Sequence, residues 1–200
     1  MIDGEITAYL NEFEGLYSEQ GLVCKTPELY GLKHREILAA AKQGDLIALR
    51  NFAVLVFKGD GVPKDISNAG QIFYILFNYP GNGDDLISKY YYARILGMEG
   101  YNERGLEILN EQEALKFIPA IALKGNLYHF GQMGVKRSFD DAKRYYFKAH
   151  EVGHYPSTAL LGKLYLDSSG VINKFKGLIY YLRAIFSRKD KQLGSLRDVF

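Results

Sequence analysis

Cysteine is almost missing from this 200-residue chain: Cys24 stands alone. That excludes an intramolecular disulfide and a cysteine-rich metal site. An excess of one charge is missing too. The formal net charge is +2, too small to argue for nucleic acid or an anionic membrane as partner. No run reaches the roughly 18 apolar residues needed to cross a bilayer. The opening segment, MIDGEITAYLNEFEG, lacks the basic and apolar regions of a signal peptide, so the cytoplasm is the expected location. There is no G-x-S-x-G, no P-loop and no dinucleotide fingerprint. GDGVPKD and GNGDD contain glycines and acids without the ligand spacing of an EF-hand loop. No cofactor and no metal is expected, and the chain does not read as an enzyme.

What is present suits an ordinary globular protein: 48% apolar and 24% charged residues. The length fits one domain or one repeat array. Charge is unevenly spread. Residues 1–30 hold six acids and only Lys25 as a base, whereas Lys163 to the end holds eight bases against Asp167, Asp190 and Asp198. Such polarity can steer a partner, but it also describes ordinary solvated helix faces.

Internal repetition dominates the pattern. Four times a small residue is followed, five positions on, by Gly or Ala: Ala48 and Ala53, Ser88 and Ala93, Ala120 and Gly125, Ser157 and Gly162. Bulky apolar pairs come next at Leu55–Val56, Ile95–Leu96, Leu127–Tyr128 and Leu164–Tyr165. This is helical spacing, with small residues where a second helix must come close. Glycine-containing turns follow at 58–62, 97–101, 131–135 and 168–171. Each leads to a candidate N-cap: Asp65, Asn102, Ser138 and Asn173. Ser138 with Asp141 resembles a capping box. Then come Ala69, Ala142 and Gly177, each followed by an apolar or aromatic pair: Ile72–Phe73, Tyr145–Tyr146 and Tyr180–Tyr181. The second unit is shorter and offers either Gly105 or Leu106 for the small slot. Packing explains these tyrosines better than base stacking does.

The repeats at 122–153, 159–184 and 48–77 resemble Sel1-like repeats, relatives of tetratricopeptide repeats. The resemblance covers about 39–187. Departures from it are a turn lengthened at Gln132–Met133, Lys124 in a normally apolar slot, and a distorted junction at Pro80–Gly83. It implies an all-α fold, a right-handed α–α superhelix (solenoid) of about ten helices. The expected organisation is one continuous domain: N-terminal helices and a partial repeat at 1–44, the repeat array at 45–187, and a C-terminal cap at 188–200, with Leu193–Phe200 as a final short helix. It also implies a protein-interaction module, with first helices lining a concave face. Asn51, Tyr91, Arg94, Asn126, His129 and Lys163 are the positions on those helices least needed for packing, and are the candidate partner-binding residues. The expected partner is a protein or peptide; no nucleic acid or membrane is expected, and the chain would be a monomer or homodimer. A bacterial immunity protein neutralising a toxin is the sharper form of this reading, and a regulatory signalling scaffold is its alternative.

One motif points elsewhere. Residues 150–154 read His-Glu-Val-Gly-His, a literal match to H-E-x-x-H. On a continuous helix, two histidines four apart can share a zinc ion while the glutamate acts as base, which would make a metal-dependent hydrolase of His150, Glu151 and His154. In the repeat frame, however, Gly153 falls in a turn and Pro156 limits continuation, so His154 is expected beyond the helix end.

Overall fold

The computed structural model describes residues 4, 6–11, 27–82 and 85–190. Cys24 and the expected helix at Leu193–Phe200 lie outside the described residues. Among those described there are ten helices and no strand: a short stretch at 6–11 (α1), then α2 (Pro27–Lys42), α3 (Leu46–Lys58), α4 (Ile66–Asn78), α5 (Leu86–Met98), α6 (Asn102–Ala114), α7 (Ile118–Phe130), α8 (Phe139–Glu151), α9 (Tyr155–Asp167) and α10 (Val171–Asp190). α10 runs through the boundary expected at 187. The contacts divide the chain into two compact units, 1–95 and 96–200.

The helices start and stop where local chemistry requires. Asp45 caps α3, accepting from the backbone N–H groups of Ile47 and Ala48 at 2.9 and 3.0 Å. Asp65 caps α4 by accepting from Asn68, and Ser138 caps α8 by accepting from Asp141. The capping box is altered, because the Ser138 hydroxyl donates to the Asp141 carboxylate at 2.7 Å. Two expected caps are corrected. Asn102 lies inside α6, whose N-cap is Tyr101 with no side-chain bond. Asn173 lies inside α10 and donates back to the Ser169 carbonyl. The α3 and α7 ends rest on Gly59 (φ 71°) and Gly131 (φ 67°), left-handed conformations that a Cβ resists. Met133 takes φ 53° in the lengthened turn, without being a glycine.

In the first unit, α3 packs on α2 and α4. Its centre is aromatic. Tyr91 stacks on Phe73 with ring centres 5.0 Å apart and meets the Phe57 ring edge at 5.3 Å. Ala53, Ala69 and Ala93 are fully buried around them. The three consecutive tyrosines divide their work: Tyr90 and Tyr91 are buried, while half-buried Tyr92 leans on Tyr74 and Phe77. Asp85 opens α5, binding the Ser88 N–H and hydroxyl, and receives Arg50 at 3.3 Å.

In the second unit, α6 packs on α7, α7 on α8, α8 on α9 and α9 on α10. Small residues set the spacing. A Cβ at Gly125 would sit 2.5 Å from the Tyr146 ring. At Gly162 it would meet the Tyr181 nitrogen at 2.9 Å and the Gly177 oxygen at 3.0 Å; at Gly177 it would meet the Gly162 oxygen at 2.8 Å. The two helices touch backbone to backbone there. Gly105 takes the small slot of α6, buried beside Ile108 and Leu109. Tyr145 and Tyr146 are core residues, but Tyr181 is exposed and Tyr180 only half-buried, which corrects the expectation that both belong to the core.

Candidate functional site

The six candidate partner-binding residues fall into three environments. Asn51 on α3 and Lys163 on α9 are exposed. Arg94 on α5 and Asn126 on α7 are half-buried. Tyr91 and His129 are buried. The last two correct the expectation that packing has least need of them: each ring fills space between helices of its own unit.

In the first unit, Arg94 lies over a bed of rings. Its guanidinium carbon is 5.0 Å from the centre of Phe57 and 5.6 Å from those of Tyr90 and Tyr91. A delocalised cation gains from aromatic faces and loses little by partial burial among them. Burial pushes the Tyr91 hydroxyl up to about 12, against the opposing influence of Arg94, so the phenol stays neutral. Tyr91 is thus the floor on which Arg94 rests.

In the second unit, Asn126 and His129 join a polar chain. The Tyr146 hydroxyl donates to Asn126 Oδ1 at 2.7 Å and lies 3.2 Å from His129 Nδ1. With the phenol proton committed to Asn126, the imidazole carries its proton on Nδ1 and donates to the phenol oxygen. Burial, then the positive charges of Arg137 and Lys163, lower the His129 pKa, with Asp167 opposing. His129 is therefore the neutral imidazole this chain requires. Its backbone carbonyl accepts from Arg137 Nε at 3.0 Å. The spacing of Asn126 and His129 was visible in the sequence; their link through Tyr146 was not, because that residue comes from the next helix.

The sequence singled out Lys124 but not the polar cluster to which it belongs. Lys124 is buried, and its ammonium pairs with Glu113 and donates to Asn110 Oδ1 at 2.7 Å. Lys148 reaches the other Glu113 oxygen at 2.8 Å. Both ammonium groups lie over the Tyr145 ring, at 4.9 and 5.2 Å. Burial works against the Glu113 carboxylate, but hydrogen bonds from both lysines outweigh it and hold its pKa below the ordinary value. For Lys124, burial is likewise outweighed by hydrogen bonds to Glu113 and Tyr145, and its pKa is raised. The signal was a lysine in an apolar slot, which demands a counter-charge from a neighbouring helix.

The H-E-x-x-H segment is divided between two elements. α8 ends at Glu151, Gly153 turns the chain at φ 81°, and His154 is the N-cap of α9. His154 Nδ1 accepts from the Ser157 backbone at 3.3 Å. His150, still on α8, places Nδ1 2.9 Å from the Thr158 hydroxyl, which itself donates to the His154 carbonyl. The His150 ring ties the end of α8 to α9, whereas the His154 ring caps α9 itself, so the two do not share one helical face. Among the described residues, no group of three His, Cys, Asp or Glu is placed to hold a metal ion. Among the same residues, no helix is long and apolar enough to cross a membrane.

No protein-family model and no curated protein matches the chain. Solved structures do. A protective antigen of uropathogenic Escherichia coli displaying an SLR fold is 18% identical with a TM-score of 0.59, over 90% of this chain and 38% of that one. A Sel1 repeat protein from Oxalobacter formigenes is 23% identical with a TM-score of 0.56, over 90% of this chain and 72% of that one. The present chain thus spans well under half the length of the first. With buried small residues recurring at the hairpin crossings and these neighbours in three dimensions, the fold of this chain is the Sel1-like repeat fold, an all-α solenoid class built from helix hairpins.

Proposed function

We propose that this chain is a protein-interaction module that binds another protein through the first helices of its hairpins. The observation that carries the reading is the exposure of polar side chains there: Asn51 on α3 and Lys163 on α9 face solvent on helices whose small residues, Ala53 and Gly162, are buried. Arg94 and Asn126 add half-buried polar groups already held in place, by aromatic rings and by Tyr146 respectively. Polar and cationic groups of restricted motion lose little freedom on binding, which favours them as contacts. Tyr91 and His129 support these groups from below. The proposed partner is a folded protein or a peptide. In the sharper form of the reading it is a toxin that this chain neutralises, with a signalling scaffold as the alternative role.

The test combines cross-linking in the native host with substitution. A photo-reactive residue placed at Asn51 or Lys163 is expected to capture one specific protein. Asn51→Arg and Lys163→Glu, both at exposed positions, should each weaken its binding at least tenfold while leaving the melting temperature unchanged. Unaltered affinity in both variants would refute the assignment of these helices as the binding surface.

A further inference from the structure

α10 carries two opposed apolar faces, and only one is occupied by a described element. Gly177 and Tyr180 pack against α9, and Ala184, one turn beyond Tyr180 along the same side, is buried. On the opposite side, Val171, Phe175, Leu178, Leu182 and Ile185 are all exposed, at intervals of four, three, four and three residues. Ile172, Ile179 and Phe186 widen the stripe. Phe175 is 65% and Phe186 61% exposed. Alternation of three and four is the seam one helix offers to another. Sixteen residues from Val171 to Phe186 give a stripe of about 24 Å at the helical rise. Within this unit, α8 is flanked by α7 and α9, and α9 by α8 and α10. A helix is therefore the shape that the outer face of α10 is built to receive.

The rim selects the sign of the occupant's charge. Lys174 borders the stripe on one side, Lys176 and Arg183 on the other, and all three are exposed. There is no acid from Val171 to Phe186. A second copy docking through the same face would bring these bases against their own counterparts. Residues 191–200, with Lys191 and Arg197 against Asp198, carry the same sign as the rim. A helix with an apolar stripe and acidic borders matches both features. We infer that the outer face of α10 is a docking site for an acid-flanked amphipathic helix of a partner protein. This site is distinct from the exposed first-helix positions and stands independently of them.

Two synthetic helical peptides of 21 residues test the inference on the full chain. Both have leucine at the three-four seam; one has glutamate and the other lysine at the bordering positions. Fluorescence anisotropy should show the glutamate peptide binding at least tenfold more tightly, with affinity falling as salt rises from 50 to 500 mM. Binding should be lost in the double variant Leu178→Lys, Leu182→Lys. Both residues are exposed, so its helical circular dichroism and melting temperature should match those of the parent. Equal affinity for the two peptides overturns the inference, since apolar adhesion alone would explain it. Failure of both peptides also overturns it, because the face would then be closed by the chain itself. A dimer in sedimentation equilibrium that the double variant dissolves assigns the face to a second copy. Cosedimentation with vesicles of 30% phosphatidylserine, abolished by the same variant, assigns it to a lipid surface. Either result replaces the proposed occupant.

Discussion

Lys124 shows how a single residue can look misplaced and still stabilise a hairpin. Its position in the repeat is one where an apolar side chain is expected, and its ammonium would be costly to bury alone. Glu113 removes that cost from the preceding helix, and Lys148 shares the carboxylate from the following one. One acid thus links α6, α7 and α8. Because the Glu113 pKa is lowered from 4.5, its contribution is fully present above the ordinary carboxylate value and is lost as pH falls through the lowered one. Glu113→Gln should destabilise the protein at pH 7 by about 2 kcal/mol. The gap from the parent should narrow on acidification below pH 4.5. Thermal melts at pH 7 and at pH 3 to 4 check this; a gap that does not depend on pH would mean the charge is not what matters.

At the scale of the element, helix starts separate what sequence spacing tells from what it does not. The candidate caps at Asp65 and Ser138 hold, whereas Asn102 and Asn173 have slipped inside their helices. All three residue types favour caps, but side-chain bonding depends on where the preceding turn delivers the chain, and the turns differ in length. Ser138→Ala should therefore cost about 1 kcal/mol, and Asn102→Ala no more than about 0.5 kcal/mol, both measurable by urea denaturation. Equal losses would contradict the cap assignments. The same limit explains the candidate site. Helical periodicity places Tyr91 and His129 on the first helices, but burial is decided by neighbouring helices: Tyr91 receives Phe73 from α4 and His129 receives Tyr146 from α8. By contrast, the separation of His150 from His154 was readable, since Gly153 and Pro156 mark the turn within the motif itself. The outer face of α10 was obscured because an apolar residue at helical spacing reads the same whether covered or bare.

For the molecule as a whole, small residues at the crossings were the most legible feature. Ala53, Ala93, Gly125 and Gly162 are all buried, as helix nesting requires. Repeat folds distribute stability through nearest neighbours, so damage at one crossing should remain largely local. Gly162→Ala should cost about 1–3 kcal/mol through overpacking, while Lys163→Ala should stay within about 0.5 kcal/mol of the parent. In native-state hydrogen exchange of Gly162→Ala, amides of α9 and α10 should lose protection more than those of α6. A uniform loss across α6 to α10 would instead mark this unit as one indivisible cooperative body.

The meeting of Gly162 with Gly177 also restricts how this hairpin can vary. Where side chains separate two helices, one can shrink as its opposite grows. Here the two glycines meet through their main chains, so neither has a side chain to surrender in exchange. A substituent at either pries the pair apart, and a second one opposite deepens the injury. Any descendant that preserves the crossing must leave both sites bare, fifteen residues apart, and confine its experiments to the outward surfaces.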